Sequence, residues 1–332
     1  MRVAVLGAGG WGTALSILLH DNGLPVTLWA YREDYANELC STRENTTYLH
    51  GVSIPREIKI TTDIEAAAAN AEVIVASIPS QFLRQQLETI GDVDFRNKLF
   101  INTAKGIEAS TFCTMSEVVQ STLKKCPREN YAVLSGPSHA EEVSRKMPTA
   151  IVAASHHRKS AEQVQKIFMN AYFRVYLNRD VDGVELAGAL KNVIALAAGM
   201  SDGAGYGDNT KAALMTRGMV EITRLGETLG AHHKTFSGLA GMGDLIVTCM
   251  SRYSRNRFVG EQVASGRKLD EVLDEMKMVA EGVPTTKAAN KLAEKFNVEM
   301  PIMEQVYNVL FKGKDPQKAV HELMTRPGKD EY

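Results

Sequence analysis

The chain has 332 residues, more than one compact core ordinarily fills, so two domains with a cleft between them are expected. Its 38 basic and 39 acidic residues leave a net charge of −1, and no basic run has the length of a nucleic-acid footprint. A polyanionic partner is thereby disfavoured and a small-molecule ligand favoured.

The chain enters a strand-like run directly after Met1, with no basic-then-apolar leader, and no apolar stretch reaches bilayer length, so neither export nor membrane insertion is expected. Short apolar runs at 2–6, 26–29, 73–77, 99–102, 132–134, 150–153 and 174–177 alternate with helix-like segments. That alternation predicts an α/β fold, a Rossmann-like, doubly wound and mostly parallel sheet. The alanine cluster at 66–69 fits a surface helix. From about Val184 the texture turns to long Ala, Leu, Met and Glu-rich stretches of helical spacing, which predicts an all-helical C-terminal domain. With the break placed at 178–183, residues 1–180 form the dinucleotide-binding domain and 181–332 the helical substrate-binding domain. Cys40, Cys113, Cys126 and Cys249 are scattered, with no Cys-x-x-Cys pair and no zinc spacing to the 8 histidines. Reduced thiols in a cytoplasm, with no bound metal, are the simplest reading.

Gly7-Ala8-Gly9-Gly10-Trp11-Gly12 follows the first strand and opens a helix, the context a dinucleotide fingerprint requires. Gly7 permits the tight turn, Gly9 lets a pyrophosphate approach the backbone, and Gly12 lets helix and strand pack closely. The helix N-terminus adds partial positive charge for the phosphates. At the end of the second strand, where NAD-selective sites usually place a carboxylate, this chain has Ala30-Tyr31-Arg32. Arginine there suits a 2′-phosphate, so NADPH is preferred over NADH. Two other readings stay open: Glu33 or Asp34 receives the ribose after a small register shift, or Arg32 is a solvated helix-entry charge.

Hydride transfer to a ketone needs a proton donor and groups that polarise the carbonyl. Lys191 stands in an apolar helical run, VELAGALKNVIALAAGM, with Gly188 clearing space one turn earlier. Desolvation there lowers its pKa toward a useful range; alternatively it snorkels from a polar stripe marked by Glu185 and Asn192, and spacing alone does not choose. Lys105 follows a strand, at the carboxyl edge where open sheets bind ligands. Gly136, Ser138 and His139 of SGPSH follow another; a plain turn would use the same residues, and His139 is either a titrating acid or a helix-entry histidine. GLAGMGD, 238–244, is too glycine-rich for a helix interior. Ser254, Arg255 and Asn256 at a helix start form a phosphate cradle or a basic exposed cap. Asp202, Asp208, Asn209 and Lys211 lie in a glycine-punctuated segment that reads as a long functional loop. The pairs His156-His157 and His232-His233 read as surface residues.

Several blocks together resemble bacterial-type NAD(P)-dependent glycerol-3-phosphate dehydrogenase over nearly the whole chain: GAGGWGTAL at Gly7, NTAKGIE at Asn102, SGPSHAEEV at Ser135, VELAGALKNVIALAAGMSDG at Val184, GDNTKAALMTRG at Gly207, GLAGMGDLIVTC at Gly238, SRNR at Ser254 and AEGVPTT at Ala280. The resemblance implies that Lys191 is the proton donor and acceptor, with Lys105 and Asp244 completing the catalytic group. It implies that Lys105 touches both cofactor and substrate, and that Gly136, Ser138, Lys191, Asp244, Ser254, Arg255 and Asn256 bind glycerol 3-phosphate or dihydroxyacetone phosphate. Gly10, Trp11, Tyr31, Arg32, Ala140, Arg255, Val279 and Glu281 would contact NADP or NAD. The family often has serine where this chain has Gly10, which removes a hydroxyl but leaves a backbone donor. The implied product feeds glycerophospholipid synthesis. Two alternatives are a β-hydroxyacid or 6-phosphogluconate type dehydrogenase and a non-catalytic NADP-sensing protein; the helical half is also a candidate homodimer interface.

Overall fold

The structure is a computed structural model and describes residues 1–331; Tyr332, the last residue of the expected C-terminal span, lies outside the described residues. Ten strands form in chain order: β1 Val3–Leu6, β2 Val26–Trp29, β3 Glu44–Asn45, β4 Leu49–Ser53, β5 Lys59–Thr61, β6 Val73–Ala76, β7 Leu99–Asn102, β8 Tyr131–Ser135, β9 Thr149–Ala154 and β10 Phe173–Asn178. Eight of them make one sheet in the order β10-β9-β8-β7-β6-β1-β2-β5, and β3 and β4 pair separately. Every neighbouring pair in the large sheet is parallel except β8 with β9. The central strands β1, β6, β7 and β8 are buried along their whole length, as a sheet covered on both faces requires. The short pair β3 and β4, and the edge strand β5, carried no clear apolar run and were absent from the expectation.

After β1 the chain winds to β2 on one side and later to β6 on the other, so a switch point opens at the carboxyl end of β1, where doubly wound sheets bind ligands. One apolar cluster lies on each face of the sheet. The cluster containing Leu6, Ile74 and Phe100 also takes in Val181, Val184 and Ala240 from the helical half, so the two halves share a seam. The second half is helical throughout and packs around the helix Val181–Gly203.

Three expectations change here. The Val181–Gly203 helix is long and apolar enough to cross a membrane, contrary to the sequence reading, yet the window that qualifies is buried within the protein; its apolar all-round surface is that of a central core helix. The expected long loop around Asp202 to Lys211 is short, because one helix runs to Gly203 and the next starts at Asp208. Asp202 instead pairs with Lys211 and Arg257, both at 2.6 Å, a structural junction of three helices. The glycines of GLAGMGD form a π-helical turn, Leu239–Gly243, leading into the helix Asp244–Met250. π turns of this kind are rare and cluster at functional sites.

Candidate active site

The loops after β6, β7 and β8 meet helix N-termini of the second half, through Ser80 with Glu281, Lys105 with Asp244 and Pro137 with Gly243, and the glycine turn after β1 packs beside the β6 loop. At β1, Gly7 has φ +114°, and a Cβ on it would sit 2.6 Å from the Ser77 carbonyl; a Cβ on Gly12 would fall 1.8 Å from the Gly7 carbonyl. These two positions therefore require glycine. Gly9 differs: a Cβ there would meet nothing within 4 Å. Gly9 is the N-cap of the helix Gly10–Asp21, and no side chain caps that end, which leaves its first N–H groups for an anion such as a pyrophosphate. Ala140 borders the same turn, 3.7 Å from where a Gly10 Cβ would lie. Tyr31 is exposed, its ring edge-on to Trp29 at 6.2 Å. Arg32 is exposed too and forms an ion pair of 2.6 Å with Asp34, so the 2′-phosphate candidate and one ribose candidate are partners of each other. Trp11 is half-buried against the sheet core.

The charged centre lies across the seam. Lys191 is 5% exposed and donates to Asp244 Oδ1 at 2.7 Å and Thr248 Oγ1 at 2.5 Å. Lys105 donates to Asp244 Oδ2 at 2.7 Å and to the Gly136 carbonyl at 2.8 Å. One carboxylate thus holds two ammonium groups from different halves of the molecule. Burial draws the Lys191 amine down to about 8, against the pull of Asp244 and with the push of Lys105. Burial alone would raise the Asp244 carboxyl, but the two ammonium groups outweigh it and hold it below its ordinary value. Asp244 and Thr248 stand one turn apart on the helix Asp244–Met250, which puts both on the face toward Lys191. Thr248 was missed in the sequence; its i+4 spacing from Asp244 was the available signal. Gly188 has a role other than the one expected. Its missing Cβ clears Ser135 Oγ, at 2.9 Å, and the Lys105 stem, at 3.6 Å, so it admits the second lysine rather than Lys191.

Ser138 donates to the Gly136 carbonyl at 2.8 Å and lies 3.5 Å from Lys105 Nζ. His139 is the N-cap of the helix Ala140–Val143. Burial and the two nearby lysines push its imidazole down to about 4, so it is neutral near pH 7 and is no proton donor there. Ser254 caps the helix Arg255–Ala264 by accepting from the Arg257 N–H at 3.2 Å. Asn256 donates to Asn192 Oδ1 and accepts from Gly282 N, both at 2.9 Å, which leaves one N–H of its amide free. Asn192 also donates to the Lys105 carbonyl at 3.0 Å. Arg255 is exposed at the first position of its helix; the protein around it lowers its pKa by desolvation, against the smaller opposing pull of Glu281 and Glu141. Among the described residues it makes no ion pair or side-chain hydrogen bond. A guanidinium without a partner at a helix N-terminus is placed to receive an anion. Glu281 accepts from the Ser80 N–H at 2.7 Å and from the Ser80 hydroxyl, and Val279 lies two residues before it, half-buried. Among the described residues no cluster of metal-ligating side chains occurs.

A glycine turn at the switch point of a doubly wound sheet, facing a buried lysine–carboxylate–lysine group on a helical domain, defines the class of two-domain dinucleotide-binding oxidoreductases. The profile of the NAD-dependent glycerol-3-phosphate dehydrogenase N-terminus matches residues 2–161, and that of the C-terminus matches 180–321. The chain belongs to the NAD-dependent glycerol-3-phosphate dehydrogenase family. It is 51% identical over 331 residues to glycerol-3-phosphate dehydrogenase [NAD(P)+] of Prosthecochloris aestuarii, covering 100% of both chains. With the protein of that name from Thermoanaerobacter sp. the identity is 53%, covering 100% of this chain and 99% of the other. The crystal structure of glycerol-3-phosphate dehydrogenase from Coxiella burnetii superposes with a TM-score of 0.93 at 36% identity, over 98% of this chain and 99% of that one.

Proposed function

We propose that the protein reduces dihydroxyacetone phosphate to sn-glycerol 3-phosphate, reversibly, with NADPH or NADH, and so supplies glycerophospholipid synthesis. The observation that carries the reading is the buried Lys191 amine, drawn down to about 8 and shared with Lys105 through Asp244. The glycine turn would hold the pyrophosphate of the dinucleotide, whose reduced nicotinamide would supply the hydride for the C2 carbonyl carbon. Lys191 donates the proton to the oxygen of that carbonyl and recovers it in the reverse direction. Asp244 keeps Lys191 charged in the dry site, and Lys105 adds positive charge beside the carbonyl as negative charge develops there. Arg255, Ser254 and the free N–H of Asn256 hold the phosphate at the helix N-terminus, while Gly136 and Ser138 border the triose. Gly7, Gly9, Gly10, Trp11, Gly12, Tyr31, Ala140, Val279 and Glu281 line the cofactor's path. Arg32, released from Asp34, takes the 2′-phosphate and favours NADPH.

Residues 1–180 serve as the cofactor domain and 181–332 as the substrate domain. A cytoplasmic location accords with four unpaired cysteines. A homodimer is supported by exposed Ile246, Met250 and Phe258 on the helical half and is checked by light scattering.

The test is oxidation of NADPH and NADH by the purified protein with dihydroxyacetone phosphate. Turnover is expected, and Lys191→Ala should lower it by about 10²–10⁴-fold while NADPH binding survives. Activity on a β-hydroxyacid with none on dihydroxyacetone phosphate would overturn the reading.

A further inference from the structure

The seam holds a second polar cluster next to the lysines. Ser80 is the first residue of the helix Ser80–Glu88 and is fully buried. Its N–H and hydroxyl go to the two different oxygens of Glu281, a residue from the opposite half of the molecule that precedes the helix Gly282–Phe296. Gln81 supports the hydroxyl from the other side, donating to Ser80 Oγ at 3.0 Å and to the Ile107 carbonyl at 2.8 Å. Gly106 makes the room: a Cβ there would lie 2.2 Å from Ser80 Oγ and 3.0 Å from Glu281 Oε2. Gly106 follows Lys105 directly in the chain, so the cluster packs against the same loop after β7 that carries that lysine.

Burial raises the Glu281 carboxyl, while the two bonds from Ser80 and the charge of Arg255 favour its ionised form; an ionised carboxylate accepts about four hydrogen bonds and donates none. Ser80 fills one position on each oxygen of Glu281, and Arg255 acts on the group by charge without a hydrogen bond or ion pair to it among the described residues. The remaining lone pairs await a donor. At the redox end of a nicotinamide dinucleotide the available donor is the carboxamide N–H. We propose that Ser80 is a positioning residue for the cofactor, holding the Glu281 carboxylate in the orientation that accepts from the nicotinamide carboxamide. This rests on the reading of Glu281 as a cofactor residue and adds to it the residue through which that carboxylate is aimed.

A double-mutant cycle on cofactor affinity, read as the Kd for NADPH by fluorescence titration, tests the proposal. Ser80→Ala is expected to weaken NADPH by about tenfold, the size of one hydrogen bond to a charged group. In the Glu281→Gln background the same change should cost less than about twofold, because the two act as one unit. With the 3-acetylpyridine analogue of the dinucleotide, which lacks the carboxamide donor, Ser80→Ala should leave the Kd unchanged. Gly106→Ala displaces the same hydroxyl by another route, and its loss of affinity must also vanish in the Glu281→Gln background, which covers the case of a poorly folded Ser80 variant. Equal losses in both backgrounds, no loss in wild type, or equal weakening of the acetylpyridine analogue would each overturn it. Turnover of dihydroxyacetone phosphate by the unaltered protein is a separate measurement, so failure of the cycle and failure of the functional reading are told apart.

Discussion

Two lysines on one carboxylate give each residue a separate, measurable duty. Asp244→Asn removes the attraction that opposes burial at Lys191, so the amine should lose its proton at lower pH. The expected result is a reduction rate that begins to fall below pH 7, and an unmoved pH profile counts against the pairing. Arg255 has no partner to lose. Arg255→Ala should therefore raise KM for dihydroxyacetone phosphate by about 10²-fold, the loss of a charge-assisted contact of about 3 kcal/mol, with a smaller change in kcat; steady-state kinetics in the substrate decide it. The sequence displayed Lys191, Lys105 and Asp244 as isolated residues, but spacing could not say whether Lys191 was buried or snorkelling. That depends on Asp244 and Thr248 arriving from another helix, 53 and 57 positions away, information that no local pattern contains.

Among elements, the pair Val181–Gly203 and Arg255–Ala264 matters most, because it carries Lys191 and Arg255 together. The helices meet nearly backbone to backbone: a Cβ on Gly199 would lie 1.9 Å from the Arg257 carbonyl, and one on Gly260 would lie 2.0 Å from the Leu196 carbonyl. Gly260→Val should cost about 3 kcal/mol or more by overpacking and should depress activity with stability; thermal melts and kinetics on the same sample check this. Elsewhere Glu221 accepts from the N–H groups of Ile302 and Met303, at 2.7 and 3.1 Å, capping the helix Pro301–Lys312. Burial pushes its carboxyl up to about 7 against those bonds. A folded pKa above the ordinary 4.5 means the contribution to stability is complete below 4.5 and lost as pH rises through about 7. The melting temperature of Glu221→Gln relative to wild type should therefore climb between pH 5 and pH 8; a constant difference would show that the carboxyl titrates normally. The buried strands of the sheet were legible as apolar runs, and the helical half as a change of texture. The π turn at Leu239–Gly243 and the shortness of the loop around Asp202 to Lys211 were not, since glycines there read as loop punctuation while close packing turns them into helix contacts.

At the scale of the whole molecule, the site exists only where the halves meet. Lys105, Gly136 and Ser80 come from the sheet edge, and Asp244, Lys191 and Glu281 from the helices, so anything bound in the seam ties the two together. NADPH at 100 times its Kd should raise stability by about 2.7 kcal/mol through mass action, visible as a higher melting temperature. Gly9→Leu, which fills the open space before the helix Gly10–Asp21, should abolish that rise. The measurement that bears most directly on the central claim is the pH dependence of kcat in both directions for wild type and Lys191→Ala. If the buried amine moves the proton, reduction falls and oxidation rises as pH passes about 8, and both inflections disappear in the variant along with most of the rate. Inflections that persist unchanged in Lys191→Ala would contradict it.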